Sequence, residues 1–142
     1  MRKHVSFVLA LLVASPLLAA PQTEIIGSYY KTPEQKAMEA YARGMRAKRK
    51  AEGEKDPEKQ ARLYLKAKEE LSKSVGYQGH YDGYLALGQV YMALGQKESA
   101  LDACTFAQGL KPNDQTAKSC IEEAKKQLQE AAATKKQGDG GQ

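Results

Sequence analysis

Along most of this chain apolar residues recur at steps of three and four, the spacing that gathers them on one face of a helix. The clearest run is Tyr84, Leu87, Gly88 and Tyr91, which makes Tyr84 and Tyr91 core and leaves Tyr81 free to face outward. Gly95 follows as a turn, because glycine accepts the left-handed backbone that ends a helix. A second helix then carries Ala100-x-x-x-Cys104 and stops at Pro112. Gly88 and Ala100 are small enough to let two antiparallel helices approach closely.

Upstream, Thr32-Pro33-Glu34-Gln35 has the form of a capping box and starts an earlier helix with Ala37, Tyr41, Gly44 and Met45 on its apolar face. Glu52-Gly53-Glu54-Lys55 breaks it. Asp56-Pro57 opens a helix over 57–75 that buries Ala61, Tyr64, Ala67, Leu71 and Val75. Residues 76–80 link the two helix pairs, and His80 is an exposed loop residue with no assigned role. Asn113-Asp114 caps a last helix over 114–132, where Ala117, Ile121, Ala124 and Leu128 form one narrow stripe. One apolar stripe and a wet side suit a terminal capping helix. Residues 133–142 lose the period, end in glycines and are expected to be disordered.

The order Tyr84-x-x-Leu87-Gly88-x-x-Tyr91, Ala100-x-x-x-Cys104, Pro112, within residues 81–114, resembles the tetratricopeptide (TPR) repeat, a helix–turn–helix unit of about 34 residues. The aromatic that the family carries in its second helix is replaced by Cys104. Ala67-x-x-x-Leu71-x-x-Ser74 matches Ala100-x-x-x-Cys104-x-x-Ala107, and Gly44 matches Gly88. The two pairs are separated by unequal lengths of chain, so 33–80 reads as a degenerate repeat with roughly ten residues inserted. The resemblance implies an all-α fold: about two TPR-like hairpins, the first degenerate, plus a C-terminal capping helix. It also implies a concave surface, lined by the first helix of each hairpin, that grips a protein or peptide. By helical phase those residues are Met38, Tyr41, Met45, Lys48, Leu85, Gln89 and Met92.

Residues 1–20 change the picture. A basic start (Arg2, Lys3), an apolar run over 5–13 and a small-residue end around Ala19 have the form of a secretory signal peptide. The apolar run is shorter than the ~20 residues a membrane span needs. The expectation is export to the periplasm or beyond, with cleavage after Ala19. Residues 21–32 form an extended leader in which Ile25, Ile26, Tyr29 and Tyr30 could dock onto a neighbour.

Composition, at 42% hydrophobic and 27% charged, is that of one small soluble domain. The net charge of +5 concentrates in one run, Arg43, Arg46, Lys48, Arg49 and Lys50. Such a run is usually solvated surface; the sharper alternative is a patch for an acidic peptide, an anionic lipid head group or a wall polymer, the last two giving peripheral association with the envelope. No nucleic-acid-binding motif accompanies it, so nucleic acid is not expected as a partner.

Cys104 and Cys120 lie equally far from Pro112 on either side, hence at one height in an antiparallel pair. A disulfide is the favoured reading in an oxidising compartment; the alternative is two buried thiols. No catalytic motif, metal-ligand spacing or cofactor loop is found. The expectation is a non-enzymatic interaction or scaffold module, without cofactor, serving assembly of a cell-envelope complex. Its partner is another protein or a second copy of the chain.

Overall fold

Among the described residues five helices follow one another through short turns: α1 Pro33–Gly53, α2 Pro57–Tyr77, α3 Tyr81–Ala93, α4 Lys97–Leu110 and α5 Gln115–Gly138. The structure, a computed structural model, describes residues 30–138, with side chains described through 134. The expected signal peptide, the leader through Tyr29 and residues 139–142 lie outside the described residues. Helices α1 and α2 pack as one antiparallel hairpin and α3 and α4 as a second; α2 lies against α3, and α5 lies mainly against α4. No strand occurs among the described residues. The fold is all-α, built of helical hairpins with a terminal helix.

Each helix start has a local cause. At α1 the Thr32 hydroxyl accepts from the Gln35 amide at 3.2 Å, and the Gln35 side chain accepts from the Thr32 amide at 3.0 Å. This is the expected capping box, with Pro33 in the first turn. At α2 the Asp56 carboxylate takes the amides of Glu58 and Lys59, and Pro57 again supplies the first turn. Between these helices Gln60 donates its side-chain amide to the carbonyls of Ala51 and Glu54. Gly95 turns α3 into α4 at φ +71°, the left-handed conformation expected of it. Asp114 caps α5 through the amides of Thr116 and Ala117.

The core is made of small residues. Ala37, Ala40, Ala47, Ala51, Ala67, Ala100, Ala107, Ala117 and Ala124 are all buried, and the largest fully buried side chains are Leu71, Val90, Cys104 and Ser74. Helices that carry alanine and glycine at their contacts can approach closely, and the half-buried Tyr41, Met45, Tyr64 and Tyr91 seal the edges.

Within the helices and their ends, the structure departs from the sequence reading in several details. Ala61 is exposed, because the steps from Ala61 through Tyr64 to Ala67 are all of three residues and rotate steadily off the buried face; Gln60 turns inward in its place. Helix α2 continues through Tyr77, so the link to α3 is shorter than expected. Helix α5 continues to Gly138, since the alanines at 131–133 favour helix and no breaker intervenes.

Candidate functional site

The seven residues inferred for a concave surface fall into two groups with different neighbours. On α1, Met38 is 59% exposed, whereas Tyr41 and Met45 are half-buried against the core shared by α1, α2 and α3. Lys48 lies low on the surface and pairs with Glu52 at 2.6 Å. On α3, Leu85 and Met92 pack against Cys104, Cys120 and Ile121, and Gln89 is half-buried between them in sequence. The terminal helix thus already engages the α3 group.

That second cluster is organised by the Cys104–Cys120 disulfide, which joins α4 to α5 with the Cα atoms 5.8 Å apart. Both sulfurs lie over Gly88 of α3.

The structure splits the basic run. The Arg43 guanidinium is held by Glu70 of α2 at 2.5 Å, with Glu39 at 3.9 Å. The Arg43 hydrogen bond is the main reason the Glu70 carboxyl is held below the usual carboxylate range, and Lys73 adds to it. Lys48 belongs to Glu52. Arg49 stands apart from the remaining pair. Arg46 and Lys50 instead line a groove of about 290 Å³ between α1 and α2, together with Arg43, Ala47, Leu63 and Lys66. Among the described residues, Arg46, Lys50 and Lys66 have no carboxylate within salt-bridge distance.

A second concavity was not anticipated. It measures about 460 Å³ and runs between the start of α3 and the end of α4, lined by Gly79, Tyr84, Phe106, Gly109 and Leu110, with Asp102 and Thr105. Phe106 and Leu110 are 61% and 52% exposed. The Phe106 ring stacks on Tyr84 at 5.3 Å between centroids. A Cβ at Gly79 would lie 3.3 Å from the Tyr84 ring, so the glycine leaves room for that ring. A signal for this groove was present: Phe106 sits off the Ala100, Cys104, Ala107 stripe and therefore has to face outward.

His80, read from sequence as an exposed loop residue without a role, is half-buried and caps α3. The Gly83 amide donates to its Nδ1 at 3.1 Å. Ser74 is fully buried and donates its hydroxyl to the Ala37 carbonyl at 2.7 Å, so the 2.8 Å contact between its oxygen and His80 Nε2 is made by an Nε2–H donor. Tyr41 meets the imidazole edge-on at 5.3 Å. One residue thereby ties α1, α2 and α3 together. The polarity is the reverse of a nucleophile–base pair: the imidazole donates a hydrogen bond to the serine oxygen rather than accepting one from it. Tyr81, expected to face outward, is half-buried and donates to Asp114 at 2.6 Å, with Lys111 over its ring at 4.0 Å.

No family model matches the chain, and no curated protein or solved structure matches it. The helices themselves define the class: an all-α protein of antiparallel helical hairpins, with an intramolecular disulfide and, on the described surface, an apolar groove and a basic one.

Proposed function

We propose that this chain is an exported, non-catalytic module of the TPR kind that holds a protein partner during assembly of a cell-envelope complex. The observation that carries the partner-holding part is the apolar groove of α3 and α4. Exposed aromatic and aliphatic side chains gathered around a cavity, rather than scattered singly, mark a contact surface. The repeat character is supported by equivalent packing in the two hairpins, where Gly44 faces Leu71 and Gly88 faces Cys104. Export is supported by the disulfide, a bond that persists in oxidising compartments.

The test places a photo-crosslinking residue in cells at Phe106, at Met38 and, as a control, at Arg62. Capture of one stoichiometric protein from position 106 is the expected result, with mature chains beginning after Ala19. Capture from position 38 instead moves the grip to the α1 surface. Capture from neither, or turnover of a small molecule by the purified chain, overturns the reading.

A further inference from the structure

The seam between α1 and α2 changes character along its length. At one end Glu39 and Glu70 neutralise Arg43. Further on, Arg46 and Lys50 from α1 converge with Lys66 from α2 on a groove walled by Ala47 and Leu63, with no acid among the described residues to separate them. All three cations are exposed, and like charges gathered across a helix pair repel one another with nothing in the groove lining to offset it. A purely structural seam would be expected to continue the acid–base pairing begun at Arg43.

We infer that this groove binds a phosphate group, held by Arg46 and Lys50 of α1 and Lys66 of α2. A single carboxylate carries one negative charge, too little to balance three cations. Three uncompensated cations match a multiply charged tetrahedral oxyanion. The guanidinium fork of Arg46 supplies paired donors, and the two ammonium groups supply charge from the opposite sides. This inference does not rest on the partner-holding reading, which concerns the other groove.

The probe is inorganic pyrophosphate, titrated into the full chain at low salt by calorimetry, with thermal stability followed in parallel. Binding is expected, together with a rise in melting temperature. Lys66→Gln and Lys50→Gln should each weaken it about tenfold, the loss expected for one charge-assisted contact. Glu70→Gln should strengthen it by releasing Arg43 into the groove. Arg62→Gln removes the same charge from a side chain paired with Glu58 outside the groove, and should leave binding unchanged. A second arm measures retention on vesicles carrying phosphatidic acid against phosphatidylcholine alone. Retention that pyrophosphate competes away assigns the phosphate to a lipid head group; binding of pyrophosphate without retention assigns it to a soluble source. No binding in either arm overturns the inference, as does equal weakening by Lys66→Gln and Arg62→Gln, which would leave only a net-charge effect.

Discussion

Gly88 of α3 opens the space that the Cys104 sulfur of α4 fills: a Cβ at that position would lie 2.6 Å from Sγ. The first hairpin repeats the arrangement, with Gly44 of α1 facing Leu71 of α2 at 2.7 Å by the same measure. The two contacts also locate the inserted residues. Past Gly44, α1 continues to Gly53, about one turn further than α3 continues past Gly88 to Ala93. From Pro57 to Leu71, α2 is about two turns longer than α4 from Lys97 to Cys104. Insertion by near-whole turns keeps the same faces inward, so the first hairpin could lengthen without losing its seam.

Gly44→Ala and Gly88→Ala should each destabilise the fold by about 1–3 kcal/mol, the usual cost of forcing extra carbon into a packed contact. Gly76, also helical, has nothing within 4 Å of a built Cβ. Gly76→Ala should therefore stabilise the chain by up to about 1 kcal/mol through helix propensity alone. Urea denaturation of the three variants checks the contrast. Equal effects at all three positions would mean the glycines are not contact positions.

The helices and their pairing were legible because alanine, glycine and leucine at three- and four-residue steps leave few alternatives to close-packed helices. Thr32, Asp56 and Asp114 announced their caps by residue type, and Gly95 its turn. His80 was not legible, since histidine is an uncommon cap and its partners Ser74 and Tyr41 lie on two other helices. The apolar groove was hidden for a related reason. The stripe of its own helix turns Phe106 outward, but the groove also needs Gly79 and Tyr84 beside it, and no single helix's spacing shows that gathering. Which cations of the 43–50 run share a groove depended on Lys66 and Glu70 from α2, a relation that the run itself does not contain.

The Cys104–Cys120 bridge closes a loop with a sequence separation of 16. Replacing both cysteines by serine should cost about 3 kcal/mol in the chain-entropy account, and more if a serine hydroxyl is left buried without a partner. Alkylation of denatured, unreduced protein should label neither cysteine, and reduction should expose both. Labelling before reduction would refute the bridge.

At Gly95, φ is +71° and no neighbour crowds a built Cβ, so backbone conformation is the only obstacle there. Gly95→Ala should cost about 1–2 kcal/mol. Gly95→Asn should cost less, because asparagine tolerates the left-handed region. Chemical denaturation of the pair reads the difference.

The final prediction concerns pH and follows from the hydrogen-bond directions at His80. Its Nδ1 accepts the Gly83 amide, so a proton there would set one N–H against another and uncap α3. Burial depresses the imidazole below its usual value, opposed in part by the charge of Asp82. The other titratable group facing it is Tyr41 from α1, while α2 offers the non-ionisable Ser74. A depressed folded value means the unfolded chain binds the proton more readily. The stabilisation is thus complete above the unfolded value of about 6.5 and is lost as pH falls through the lower folded value. His80→Asn can keep a cap while removing the titration, although it gives up the imidazole hydrogen bond to Ser74, worth about 1 kcal/mol. Melting curves should show the variant less stable than the native chain near neutral pH. Between about pH 7 and pH 5 the His80-dependent slope should be present in the native chain and absent in the variant. Parallel slopes in the two proteins would remove His80 from the pH response and leave its cap a fixed structural contact.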